Sequence, residues 1–451
     1  MMHDELDEAL RLPERAVKEI LPRVVIVGGG IGGTAAARAL KKTPVEVLLI
    51  DRRNHYVFQP LLYQVATSVL SESEIASPIR QLSDSQENLS VIMGEVVGVD
   101  TAGREVVVDC ENQSARRVPY DFLILATGTH PTYFGNDRFS EFAPGLKTLT
   151  DARRIRDRIL GAFERAELED DLNEQKRHMT FVLVGGGPAG VELAASLAQM
   201  TATTLRSNFR RIDPSSASII LLEGGKSILP AYGDELSEKA TAQLKKIGVE
   251  IRTGVMVENI DADGVVAAGV RIPSSTVIWT AGVKPFPLGD WLGAKTDRAG
   301  RVLVGPYLEV PGHMEVFAIG DTAGVLQDNK PLPGVAQVAL QQGKYVGNVI
   351  ADRVRGRVGA QPFRYNDKGN MAVVGKNFAL LQTEKMHTSG FVTWLIWAFI
   401  HIMSLPHAQN RIRVYTQWFW WYFTGQRSSR IIAEPEAVLS KGQKPLPFEP
   451  H

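Results

Sequence analysis

Short, wholly apolar runs alternate with stretches of helical period along most of this chain. Residues 24–28, 45–51, 180–185 and 217–223 are β-branched and aliphatic runs that end in glycine or an acid. Such runs predict strands buried on both faces of a parallel sheet. Alanine-rich stretches near 31–42 and 188–200 follow the first and third runs and predict helices. The pattern strand–turn–helix–strand therefore occurs twice, and the alternation continues to about residue 360. It predicts an α/β fold of parallel sheets with covering helices. Between the two units, residues 151–178 (DARRIRDRILGAFERAELEDDLNEQKRH) are highly charged and predict a solvated helix joining two domains.

Beyond residue 360 the pattern changes. Residues 391–425 read FVTWLIWAFIHIMSLPHAQNRIRVYTQWFWWYFTG and hold five of the seven tryptophans. The apolar stretch 391–405 is too short to span a bilayer, which needs about 20 apolar residues. Pro406 ends it, and an aromatic stretch flanked by Arg411, Arg413, Arg427 and Arg430 follows. Tryptophan and tyrosine favour the headgroup level, and arginine attracts anionic lipid. Residues 391–430 are therefore expected to form a pair of interfacial helices on a membrane surface. An aromatic pair of this kind can also serve as a homodimer interface.

The turns after residues 24–27 and 180–184 share one design: Gly28, Gly30 and Gly33, then Gly185, Gly187 and Gly190. In a strand–turn–helix setting, the first glycine permits a tight bend. The second lets the backbone approach a pyrophosphate, and the third lets helix and strand pack closely. Asp51 and Glu223 close the second strand of each unit, where a carboxylate accepts hydrogen bonds from an adenosine ribose. Two dinucleotide sites are expected. At the second, Glu223 followed by Gly224 and Gly225 favours NADH over NADPH, with Lys226 the nearest cation. YDFLILATGT (120–129), with Thr127 and Gly128 in its small-residue turn, and VFAIGDTA (316–323), with Asp321 at a strand end, favour a flavin in the first site.

Composition narrows the classes. The 451 residues suffice for two or three domains, and 50 basic residues balance 50 acidic ones, so no net field draws the chain to nucleic acid. The single cysteine, Cys110, excludes an intramolecular redox-active pair and is read as structural. The scattered histidines show no zinc-site spacing, so no metal is expected. The acidic first twenty residues lack the pattern of a secretory signal, so the protein is expected on the cytoplasmic side.

Three further segments carry a resemblance: FQPLLYQVAT (58–67), PGVAQVALQQG (333–343) and YNDKGNMAVVG (365–375). With the glycine turns and the tryptophan-rich tail, this ordered set resembles the type II NADH dehydrogenases over residues 22–432. The resemblance implies two Rossmann-like domains, an FAD-binding one (20–145 and 271–360) interrupted by an NADH-binding one (146–270), and a membrane-anchoring region (361–451). It implies non-covalent FAD in the first site and NADH as substrate in the second. Hydride then passes to the flavin, and a membrane quinone is reduced by two electrons without proton pumping, by a peripheral enzyme on the cytoplasmic face. By the same resemblance, Gln337 and Gln341 lie at the quinone end of the flavin, with Gln337 also among the cofactor contacts. Four apart, they share one helix face. Glu192 is implied close to flavin and nicotinamide, with a role in proton delivery or nicotinamide positioning. A carboxylate favoured by the dipole of its helix is the structural alternative for it.

Two rivals remain open at this stage: a ferredoxin-type NAD(P)H flavoprotein reductase, and an NADH-responsive flavoprotein that acts by protein binding. Disulfide reductases and sulfide:quinone oxidoreductases need paired cysteines, which the chain lacks.

Overall fold

A computed structural model describes residues 21–109 and 115–432. Cys110, the acidic first twenty residues and the chain beyond 432 lie outside the described residues. The described chain divides into two compact units.

The first unit comprises residues up to 56, 78–128 and 285–365. Its six-stranded sheet runs in the order Glu309–Val310, His313–Ala318, Phe122–Leu125, Arg23–Val27, Glu46–Asp51, Leu89–Met93. All neighbours are parallel except the first pair. Every residue of the central Arg23–Val27 strand is buried, which explains the apolar run Val24–Val27. The Ile31–Ala39 helix packs against the Ala336–Val354 helix through small residues. A Cβ on Gly343 would lie 2.1 Å from the Gly32 carbonyl oxygen, and one on Gly347 would lie 2.6 Å from the Ala39 Cβ. A three-stranded antiparallel sheet, Glu95–Asp100, Glu105–Asp109 and Arg116–Pro119, completes the unit.

The second unit comprises residues 57–77, 129–284 and 366 onward. Its parallel sheet has the order Val249–Thr253, Ser218–Glu223, Thr180–Val184, Thr276–Trp279. Thr276–Trp279 falls in the stretch (271–360) expected in the first nucleotide domain, yet it pairs with Phe181–Val184 of the second. All four of its residues are buried, so its place follows from pairing rather than from its own sequence.

The charged stretch 151–178 is not a solvated connector. It forms two helices, Leu149–Leu168 and Leu172–His178, and the first buries Ala152, Ile155, Ile159, Phe163 and Ala166 on one face. That helix starts at a capping box in which Thr148 and Asp151 satisfy each other's backbone amides. The C-terminal region opens with a three-stranded antiparallel sheet, residues 370–390, and ends in the helices Phe391–Ser404 and Ala408–Thr424. Among the described residues, no helix is long and apolar enough to cross a membrane.

Candidate functional site

The two glycine turns are built alike. Gly28 has φ +106° and Gly185 has φ +112°, a region that disfavours side chains. A Cβ on Gly28 would sit 2.3 Å from the Ala126 oxygen, and one on Gly185 would sit 2.6 Å from the Ala281 backbone. Gly30 and Gly187 are the N-caps of their helices, and a Cβ on either would project into open space. Those are the faces a pyrophosphate would approach. Neither helix has a side-chain cap, so the amides that can hold an anion begin at Ile31 in the first helix and, since Pro188 has no N–H, at Ala189 in the second. A Cβ on Gly33 would lie 1.8 Å from the Gly28 oxygen, and one on Gly190 would lie 1.9 Å from the Gly185 oxygen. Each third glycine therefore seals its turn.

The strand-ending acids do something that sequence reasoning missed. Asp51 accepts from the Gly29 amide at 2.6 Å and from the Arg53 amide at 2.7 Å. Glu223 accepts from the Gly186 and Gly225 amides, both at 2.6 Å. Each carboxylate thus ties the glycine turn to the next strand. A carboxylate has about four acceptor sites, so lone pairs remain for further donors.

Polar groups of the first unit fit a cofactor with many hydrogen-bonding atoms. Asp321 lies in the Gly320–Thr322 turn, where Gly320 takes φ +72°. Gly128, with φ +69°, follows Thr127, and Thr127 Oγ1 is buried without a partner among the described residues. Gln337 and Gln341 stand one turn apart on the Ala336–Val354 helix, both half-buried, and Gln337 Oε1 is another buried atom without a partner. Gln342, not singled out from sequence, is fully buried, and its Oε1 accepts from the Gly320 amide at 2.6 Å. It fixes the turn that carries Asp321. The Gln–Gln doublet was its only signal.

In the second unit, Glu192 lies on the Pro188–Gln199 helix beyond the first turn, and that turn carries no acid. The dipole reading of Glu192 therefore fails. Burial instead pushes its carboxyl up to about 8, opposed by a hydrogen bond from the Val373 amide at 3.2 Å. Glu192 lines a narrow cleft that opens to solvent. Tyr63 and Gln64 from FQPLLYQVAT, Ser196, and four tail tryptophans (Trp394, Trp397, Trp418, Trp421) share that cleft with it. Trp397 and Trp418 stack with centroids 5.2 Å apart.

Arg427, expected at a lipid surface, is only 1 % exposed. Its guanidinium donates to the Thr67 carbonyl at 2.7 Å and the Ser196 carbonyl at 2.9 Å, clamping the tail to the helix that bears Glu192. Arg411 also turns inward, donating to the Leu405 carbonyl at 2.9 Å, whereas Arg413 is exposed.

Comparisons with known proteins place this geometry. The family model for pyridine nucleotide-disulphide oxidoreductase matches residues 22–343. The chain is 42% identical to the type II NADH:quinone oxidoreductase Ndh of Mycobacterium tuberculosis, over 92% of this chain and 91% of the relative. It is 41% identical to NdhA of the same organism, over 88% and 86%. In fold it is similar to NDH2 from Plasmodium falciparum, solved in complex with NADH, with TM-score 0.83 and 20% identity over 90% of this chain and 99% of that one. The disulphide in the family's description does not extend to an intramolecular pair here, since the chain has one cysteine. With two sealed glycine turns, an acid tying each, and these relatives, the chain belongs to the pyridine nucleotide-disulphide oxidoreductase family and, within it, to the type II NADH:quinone oxidoreductases.

Proposed function

We propose that this chain holds FAD non-covalently on its first glycine turn and NADH on its second, and delivers the electrons to a membrane quinone. The duplicated turn carries this reading, because each copy has the same sealed bend, the same open second glycine and the same acid tie. When bound, the flavin supplies the two-electron carrier between hydride donor and quinone. Gly30 and the free amides of its helix hold the diphosphate, Asp51 the ribose, and Thr127, Asp321 and Gln337 the remaining polar atoms. Gly187 and Glu223 do the same for NADH, and the negative charge of Glu223 disfavours a 2′-phosphate.

Gln337 and Gln341 orient the quinone end of the flavin site. The tryptophan-walled cleft receives the quinone headgroup, and Glu192 holds a proton there at neutral pH. Quinone reduction consumes two protons, so a carboxyl that stays protonated beside its substrate is suited to supply one.

The tail helices present one apolar stripe each. Val392, Leu395, Phe399 and Met403 are exposed at helical spacing on the first, and Ile412, Tyr415, Phe419 and Phe423 on the second. Soluble surfaces rarely expose patches of this kind without a partner. A lipid surface on the cytoplasmic side is that partner, and it is also where a lipophilic quinone resides.

Purified protein is expected to be yellow, to release FAD rather than FMN on denaturation, to bleach with NADH and to recover colour with short-chain quinone. A preparation that bleaches with NADH but is not reoxidised by any quinone would overturn the assignment. In the same preparation, replacing Phe399, Phe419 and Phe423 together by serine should abolish flotation with anionic liposomes and leave short-chain quinone turnover intact. Unchanged flotation would remove the lipid from the proposal. A loss of dimers instead would give that face to a second copy of the chain.

A further inference from the structure

A polarised hydrogen-bond relay ends in the tryptophan-walled cleft. The indole nitrogen of a tryptophan donates and cannot accept. Trp418 Nε1 lies 2.6 Å from Gln64 Oε1, so the Gln64 amide must present its oxygen to Trp418. This contact alone settles which way that amide faces. Its nitrogen then points the other way and donates to the Tyr63 hydroxyl oxygen at 2.9 Å. The hydroxyl has one proton and two lone pairs. One lone pair is taken by Gln64, and among the described residues no protein acceptor takes the proton. Tyr63 and Gln64 are 5 % and 4 % exposed, and both line the cleft.

We propose that the Tyr63 hydroxyl donates a hydrogen bond to a carbonyl oxygen of the quinone headgroup, and that Trp418, acting through Gln64, is the positioning residue that fixes the direction of this donation. The inference rests on the reading that quinone enters this cleft. The first two donations run the same way, indole to amide oxygen and amide to hydroxyl oxygen, and the next donor in line is the hydroxyl of Tyr63, which lines the cleft. A quinone carbonyl is an acceptor only, which is the partner such an outward donor requires. Aromatic walls such as Trp397 and Trp421 suit a planar ring. Burial holds the Tyr63 proton on oxygen far above its ordinary range, so the group stays a donor throughout the working pH. No proton is transferred by Tyr63. It holds the carbonyl while electrons arrive, and the protons of quinol formation come from elsewhere.

The test uses the holoenzyme and a short-chain quinone carrying ¹³C at its carbonyls. Flavin content and anaerobic bleaching by NADH are measured first, and Tyr63→Phe should leave both unchanged. The quinone concentration for half-maximal reoxidation should rise about tenfold, equivalent to about 1.4 kcal/mol. In the infrared, the labelled carbonyl band of bound quinone should move up toward its free position. Trp418→Phe, which frees the Gln64 amide to turn over, should give the same band shift in part. It also serves if Tyr63→Phe does not retain flavin.

An unmoved band together with unchanged half-saturation overturns the proposal. So does a Tyr63→Phe enzyme whose only change is in the pH profile set by Glu192, since the hydroxyl would then serve that carboxyl. Gln199→Trp, which adds bulk at a position lining the cleft, separates the two possibilities. If it leaves quinone reoxidation untouched, quinone does not enter the cleft, and the reading and the inference fall together. If it blocks reoxidation while Tyr63→Phe and Trp418→Phe do nothing, only the hydrogen bond falls.

Discussion

Glu192→Gln removes an ionisable group whose charged form the second unit disfavours, and keeps the shape. The carboxyl is pushed by burial from an ordinary 4.5 up to about 8. At one pKa unit per 1.36 kcal/mol, the cost of ionising it in the folded chain approaches about 5 kcal/mol, a ceiling because water reaches the cleft mouth and screens part of it. The sign follows from proton counts. Below about pH 4.5, folded and unfolded chains both carry the proton, and Glu192 exerts no penalty. Between about 4.5 and 8 the unfolded chain releases a proton that the folded chain keeps, so stability falls as pH rises. Above about 8 the penalty is constant.

Glutamine has no such slope, and its oxygen can still accept from the Val373 amide. The variant should match the native protein near pH 4.5 and exceed it by about 3 kcal/mol at pH 7, with a plateau above pH 8. Urea midpoints measured from pH 5 to 9 with excess FAD give this difference directly. If Glu192 supplies the proton, the native enzyme should lose quinone turnover as pH rises past about 8, where its carboxyl ionises, and this alkaline limb should vanish in the variant. A stability difference that does not change with pH would refute the electrostatic reasoning, whatever the activity shows.

Two further outcomes test the scaffold. Gly190→Ala places a Cβ 1.9 Å from the Gly185 oxygen and 2.7 Å from Thr280 Oγ1, and backbone cannot yield that far; NADH bleaching should be lost while flavin content, read by absorbance, is retained. Arg427→Met strips the donors from the Thr67 and Ser196 carbonyls and should cost about 3 kcal/mol by denaturant titration, because two buried acceptors lose a charged partner at once.

The nucleotide turns were legible because their constraints are local. A positive φ at Gly28 or Gly185 and a clash at Gly33 or Gly190 each act within a few residues, so one stretch of sequence carries the whole signal. The long helix Leu149–Leu168 was misread for the opposite reason. Its apolar stripe, Ala152, Ile155, Ile159, Phe163 and Ala166, is present at the right spacing, but arginines and acids between these positions dominate its composition. Arg427 misled in the same way. Beside an aromatic run, an arginine reads as a lipid contact, and its partners are carbonyls of residues hundreds of positions earlier. The cleft was invisible from sequence because Tyr63, Glu192, Val373 and Trp418 meet only through the tertiary fold.

The tail cannot be treated as an anchor appended to an enzyme. Its two helices expose an apolar stripe and bury a mixed polar and aromatic one, Thr393 and Trp397 on the first and Asn410, Val414 and Trp418 on the second. The buried stripe helps to wall the cleft that Glu192 faces, and Asn410 donates to the Glu74 carbonyl at 2.8 Å, within the segment that follows FQPLLYQVAT. Cutting the chain at residue 391 would therefore remove four tryptophans of the cleft and the Arg427 clamp along with any lipid-binding face. Loss of quinone turnover in such a truncation would not separate membrane attachment from substrate binding. Substitution on the exposed stripe alone does separate them, because Phe399, Phe419 and Phe423 lie on the face that does not line the cleft.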